Sequence, residues 1–261
     1  MIERLLPAGV AAIACTRDVP LSTLFEAELA AILPAVPRRR AEYATVRWAA
    51  RRCLARLGHP PVPILSGAGG APLWPDDCVG ALTHCEGYRA AAVAKASTVD
   101  GVGIDAEPAQ PLPDRVPNEI SSAAEREHLA RLGLRWRLTP WDRLLFSAKE
   151  SYYKVWFPAM GCWLGFDDVE VRFRAPDNST GGSFTVRPCS GGKRRARRAG
   201  DFDASATGFP ALDGRWGLVA PGDGPGGGAH GVVVTAITAP VGSLADVRRD
   251  QAARTFTGTL R

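Results

Sequence analysis

Apolar residues recur every three or four positions in two stretches of this chain and alternate with polar ones in several others. Between residues 37 and 57, Tyr43, Val46, Ala50, Cys53, Leu54 and Leu57 share one face at helical spacing. Pro37 suits a first turn and Gly58 stands just past the end, so the pattern predicts a helix over 37–57. Arg40, Arg47 and Arg51 lie beside its apolar stripe, as either a solvated flank or a cationic row. A second helix is predicted from Trp141, Leu144, Leu145, Ala148, Tyr152, Val155 and Trp156. Thr139 offers a cap, Pro140 the first position, Asp142 a capping-box-like partner and Pro158 a stop. Phe146, Tyr153 and Phe157 add a second apolar side, which predicts a helix covered on both sides.

Strand patterns surround these helices. The apolar run from Leu5 to Cys15 reads as an N-terminal strand. Two short strands follow at 79–83 and 88–94 with Glu86-Gly87 as their turn, and a third at 102–107 is ended by Pro108. Val169 to Phe173 alternates cleanly, and 184–186, 216–219 and 232–237 look like further strands. Residues 62–75 are a loop by composition, and flexible loops are expected near 174–183, 189–200 and 221–229. The glycine-rich stretch in the last of these lacks the Lys-Ser/Thr of a phosphate-binding P-loop. The class predicted is α+β, with each half a long helix followed by strands. The halves are taken as 1–100 and 101–261, and the Pro-rich stretch Gln110–Pro117 is the compositional candidate for a boundary.

Composition narrows the function classes. The 261 residues are 46% hydrophobic and 23% charged, values of a globular chain rather than a fibrous or disordered one. Lys193 to Arg198 holds five positive charges and no negative one, which equals the whole net charge of +5. The rest is balanced, so neither nucleic-acid nor membrane attraction is expected from charge. No apolar run approaches the ~20 residues needed to span a bilayer. Glu3, Pro7 and Gly9 spoil the resemblance of the first fifteen residues to a secretion signal, and a cytoplasmic location is expected. The six cysteines show neither CxxC nor small-scaffold spacing, so cysteine spacing predicts no zinc or disulfide framework.

Candidate chemistry lies on the third strand and the second helix. Asp105 and Glu107 are two apart on a strand and project from one face, where two anions invite a cation such as Mg²⁺. On spacing alone an ordinary acidic strand end is the better reading of the pair. Glu150 emerges among Phe146, Tyr153 and Phe157, and a carboxylate among aromatics needs a partner. Lys154, four residues on, would be an ordinary helix pair for it. Lys149 and Lys154 are two of only four lysines, against 28 arginines.

Gly101-Val102-Gly103-Ile104-Asp105-Ala106-Glu107 and, further on, Phe146-Ser147-Ala148-Lys149-Glu150-Ser151-Tyr152-Tyr153-Lys154 resemble the two signature motifs of the surfactin-type (enterobactin-synthase-like) phosphopantetheinyl transferases. Pro72 to Pro75 and Val79 to Cys85 are similar to the family's upstream motifs, and the resemblance runs from about Arg38 to Phe173. It implies two similar lobes related by a pseudo-twofold, with the site in the cleft between them. It also implies transfer of the 4′-phosphopantetheine arm of coenzyme A to a serine of an acyl or peptidyl carrier protein by a monomer. By position, Asp105, Glu107 and Glu150 would hold Mg²⁺ (or Mn²⁺) with the Ala106 carbonyl nearby. Glu150, Lys154 and Asp105 would be catalytic. Coenzyme A would meet Arg39, Arg47, Ser66, Gly67, Ala68, Gly69, Thr83, His84 and Leu164 besides those three.

One departure stands out. Many relatives carry lysines in the loop corresponding to Ser66–Gly69, and this chain has none there. Backbone N–H groups, or arginines, would have to compensate. Two other readings compete: a Mg²⁺-dependent hydrolase that gives the same pyrophosphate bond to water, and a nucleic-acid binder resting only on Lys193 to Arg198.

Overall fold

A computed structural model describes residues 2–174, 180–189, 204–220 and 230–247. It holds two antiparallel sheets. The first consists of β1 (Val10–Cys15), β2 (Cys78–Cys85) and β3 (Tyr88–Lys95) in the order β1-β3-β2. The second consists of β4 (Val99–Pro108), β5 (Val169–Phe173), β6 (Gly181–Pro188), β7 (Leu212–Val219) and β8 (Val232–Pro240), in the order β4-β8-β7-β6-β5. Five helices accompany them among the described residues: α1 (Glu26–Ile32), α2 (Pro37–Arg56), α3 (Val116–Ile120), α4 (Ala123–Arg135) and α5 (Trp141–Met160). The α+β class read from the pattern is observed. The basic run Lys193–Arg198 and the Gly222–Gly228 loop lie outside the described residues, as do residues 175–179 of the loop expected at 174–183, whose last residues open β6.

Each sheet carries one long helix. Ala49, Ala50, Cys53 and Leu54 of α2 pack on Ala91 and Val93 of β3, where small side chains let the helix lie close. Leu144, Leu145, Ala148, Tyr152, Val155 and Trp156 of α5 pack with Phe184, Trp216 and Ile237 of the second sheet, as their stripe predicted. A third cluster spans both sheets: Ala81, Ala90 and Ala92 from the first meet Val102, Ile104, Val234 and Ala236 from the second.

Two details of α5 correct the sequence reading. Thr139 and Asp142 form no capping box: the residue before the helix is Pro140, without a side-chain cap. Asp142 instead turns its carboxylate away, accepting a hydrogen bond from the Leu112 N–H at 2.7 Å. Pro158 does not stop the helix either, which runs to Met160 and ends at Gly161 in the left-handed region (φ 63°). In a last turn a proline forfeits a single backbone bond, and the left-handed Gly161 supplies the terminus.

Helices α1, α3 and α4 were not anticipated. The start of α4 does carry a local signal, the box Ser122-x-x-Glu125, in which the Glu125 N–H donates to Ser122 Oγ and the Ser122 N–H to Glu125 Oε2.

Candidate active site

Two glycines set the geometry. A Cβ on Gly103 would stand 1.9 Å from the Ser151 carbonyl oxygen, and one on Gly101 would stand 2.8 Å from Val155 Cγ1. Strand β4 and helix α5 therefore touch backbone to backbone, closer than any side chain allows. That contact carries Lys154 onto the strand: its Nζ donates to the Ile104 carbonyl and to Asp105 Oδ1, both at 2.9 Å. The expected Glu150–Lys154 helix pair does not form, because Lys154 is engaged by Asp105. On the same face of α5, Ser147 and Ser151 hydrogen-bond Thr235, the residue opposite Asp105 in the sheet.

Asp105 is buried, and it joins the two sheets. Thr83 of β2 donates to Asp105 Oδ1 at 3.3 Å, while the Ala106 N–H donates to Thr83 Oγ1 at 2.9 Å. Asp105 Oδ2 is buried with no hydrogen-bond partner. Glu107 is held by Arg143, whose Nη1 lies 3.0 Å from Oε2 and whose other nitrogens donate to the carbonyls of Gln110 and Pro111. Burial, with Asp105 adding to it, raises the affinity of Glu107 for a proton despite Arg143. Burial likewise raises the pKa of Glu150, with Lys154 opposing and Asp105 reinforcing the shift. An orphaned oxygen and two carboxylates of raised proton affinity are oxygen donors suited to a hard divalent cation, but among the described residues the donor atoms of Asp105, Glu107 and Glu150 are not drawn together as a cluster of three.

Beside this group opens a cavity of about 240 Å³. Arg39, Arg47, Ser66, Gly69 and His84 line it from one side, Glu150, Tyr153, Lys154 and Phe157 of α5 from the other. Arg47 is 4% exposed: its Nε donates to the Ile64 carbonyl and its Nη2 to Ser66 Oγ, and its guanidinium lies 3.2 Å over the Tyr43 ring. Of the three arginines read as a row, Arg51 faces elsewhere, clamped on Glu28 at 2.7 Å. His84 Nδ1 lies 3.2 Å from the buried Glu42, and its Nε2 meets Arg39 Nη1. Burial and the nearby Arg39 push the His84 pKa down to about 4, so the neutral ring donates through Nδ1 and accepts from Arg39 through Nε2.

The loop 66–70 is shaped by its own turn, which already uses the N–H groups of Gly67, Gly70 and Ala71. Gly69 sits at φ 60°, and a Cβ there would press 2.5 Å from the Phe157 ring, so this glycine seats the loop against α5. Gly67 and Ala68 are not in the cavity lining, and Leu164 is buried in the core under the second sheet. Lys149, singled out for its residue type, turns out to be fully buried: its ammonium holds Glu125 of α4 at 3.0 Å and the carbonyls of Ile120 and Phe166. Its rarity in the sequence marked it without saying which way it points.

The segments that form the cavity coincide with two family models. Residues 26–94 match the 4′-phosphopantetheinyl transferase N-terminal domain, and residues 101–202 match the 4′-phosphopantetheinyl transferase superfamily. The chain belongs to the 4′-phosphopantetheinyl transferase superfamily. It is 46% identical over 253 residues to the 4′-phosphopantetheinyl transferase Svp of Streptomyces mobaraensis, covering 93% of this chain and 92% of that one. It is 40% identical to Npt of Nocardia iowensis, over 85% of this chain and 96% of the relative. The enterobactin synthase component D of Escherichia coli K12 is more distant, 33% identical over 45% of this chain and 55% of its own. These relatives of the transferase family give no support to the hydrolase reading. No helix among the described residues is long and apolar enough to cross a membrane.

Proposed function

We propose that this transferase moves the 4′-phosphopantetheine arm of coenzyme A onto a serine of an apo acyl or peptidyl carrier protein, leaving adenosine 3′,5′-bisphosphate. The observation that carries the reading is the single cavity in which Arg39, Arg47 and His84 face Glu150 and Lys154. Cations stand at one end of it and the Glu150 carboxylate at the other, with Asp105 just beyond the lining, which suits a ligand with a terminal phosphate and a metal-bound pyrophosphate.

At the cationic end, Arg47 supplies the charge that the lysine-free loop 66–69 lacks, since its guanidinium already reaches Ser66. A 3′-phosphate arriving there takes over Arg39 from His84 Nε2, while Glu42 keeps the ring oriented through Nδ1. At the acidic end, Asp105, Glu107 and Glu150 would hold Mg²⁺, or Mn²⁺, with the Ala106 carbonyl. When bound, such an ion would offset charge on the pyrophosphate and on its leaving oxygen. Burial raises the proton affinity of the Glu150 carboxylate, with Lys154 opposing, and this strengthens it as an acceptor for the serine hydroxyl proton. Lys154, held by Asp105 and by the Ile104 carbonyl, presents its ammonium to the departing phosphate. The enzyme is expected to work as a cytoplasmic monomer.

Incubation with Mg²⁺, coenzyme A and a panel of apo carrier proteins tests this directly. Intact-mass spectrometry should show each accepted carrier gaining one phosphopantetheine arm, with adenosine 3′,5′-bisphosphate in equal amount. Phosphopantetheine released without any gain in carrier mass would overturn the reading.

A further inference from the structure

A group of converging ligating side chains lies outside the cavity. Among the described residues, His59, Asp77 and Cys78 have donor atoms all within 4.8 Å of one another. His59 Nε2 is 3.2 Å from Cys78 Sγ and 3.3 Å from Asp77 Oδ1. One ring nitrogen cannot serve both neighbours well. Protonated, it must share a single proton between a carboxylate and a thiol. Unprotonated, it can accept from the thiol but then faces the lone pairs of the carboxylate. A cation between the three satisfies them together.

The spacing suits one cation in particular. Around tetrahedral zinc, with Zn–S about 2.3 Å and Zn–N or Zn–O about 2.0–2.1 Å, neighbouring donors stand roughly 3.3–3.6 Å apart. The donor set is also that of a borderline-soft metal, with one sulfur, one imidazole and one carboxylate.

The backbone fixes both halves of the group. Gly58 turns the chain out of α2 at φ 87°, and the His59 N–H is bonded to the Leu54 carbonyl. Across from it, the Cys78 N–H bonds the Pro75 carbonyl and the Asp77 carbonyl accepts from Ala96. The Cys78 thiol is buried, while the Asp77 side chain is 58% exposed and opens the group to water. Burial and the adjacent Asp77 push the Cys78 pKa up to about 11, with Lys95 opposing, so without a metal the thiol keeps its proton.

We propose that His59, Asp77 and Cys78 form a zinc site, with a water as fourth ligand and the thiol proton released to solvent on binding. Its place in the chain gives it a consequence. Residues 60–76, between the ligands, carry Ser66, Gly69, Gly70, Ala71 and Pro72 of the cavity wall. Zinc here clips the two ends of that segment together and restrains it at its base.

Metal-stripped full-length protein titrated with Co²⁺ as a spectroscopic probe tests the site. Expected are thiolate-to-cobalt charge-transfer absorption and tetrahedral visible bands saturating at one equivalent, and their loss when Zn²⁺ is added. Zinc at a hundredfold excess over its Kd should raise Tm by roughly 5–10 °C and slow hydrogen exchange in residues 60–76. His59→Gln and Asp77→Asn should each weaken cobalt binding at least about tenfold, and Cys78→Ser should remove the charge-transfer band. Asp77→Asn changes an exposed side chain, so it decides the matter even if the Cys78 variant fails to fold. Absence of a thiolate band in the wild type overturns the proposal. So does a band that survives unchanged in His59→Gln and Asp77→Asn, which would place the metal on another thiol such as Cys85.

Discussion

At the scale of residues, the site is marked by groups whose proton affinity burial shifts from its ordinary value. Glu150 has a raised pKa in the folded chain, so its ionised form weighs against folding at neutral pH. The stability tied to this group is complete below the ordinary carboxylate range and is lost as pH rises through the raised value. Glu150→Gln should therefore raise the Tm of the metal-free protein at pH 7, with the gain vanishing at acid pH where both side chains are neutral. The same variant should lose at least roughly 100-fold in carrier-protein modification, measured by mass shift. Added Mg²⁺ should raise the Tm of the wild type but not of the variant. The sequence made this pairing of residues legible, since Asp105, Glu107, Glu150 and Lys154 stand in recognisable motifs. It could not show that Lys154 would choose Asp105 over Glu150, because that depends on how closely two backbones approach. Nor could spacing reveal His59, Asp77 and Cys78, which come together only when the end of α2 meets the start of β2.

At the scale of elements, the approach of β4 to α5 is the decisive contact. Gly103→Ala would put a Cβ into the Ser151 carbonyl and push the helix off the strand, carrying Lys154 away from Asp105. A stability loss of about 3 kcal/mol in urea unfolding is expected, with transferase activity falling alongside. Gly101→Ala meets side chains rather than backbone, with Val155 Cγ1 at 2.8 Å, so a smaller effect is expected on both measurements. Long elements with strong periodicity, such as α2 and α5, were readable because one face of each is buried against a sheet. Helix α1 is seven residues and α3 five, too short for a repeat to stand out. Pro158 was misread because the rule for proline concerns helix interiors, and this one lies in a final turn ended by Gly161.

For the molecule as a whole, charge says less than connectivity. Lys193 to Arg198 accounts for the entire net charge of +5, so deleting it should leave carrier-protein turnover within about twofold while bringing the net charge to zero. Steady-state kinetics on one carrier protein checks this, and a collapse of kcat/KM would give the run a role in docking. The two sheets share one apolar cluster, in which Ala81, Ala90 and Ala92 meet Ile104, Val234 and Ala236, and Thr83 bonds across the same junction. The candidate cavity therefore sits beside a junction at which the two sheets share a core. Coenzyme A cannot enter by swinging the halves apart without opening that cluster to water. Accommodation must come from the rim, where the loop around Gly69 leans on Phe157. Small-angle scattering should accordingly find the same radius of gyration with and without coenzyme A.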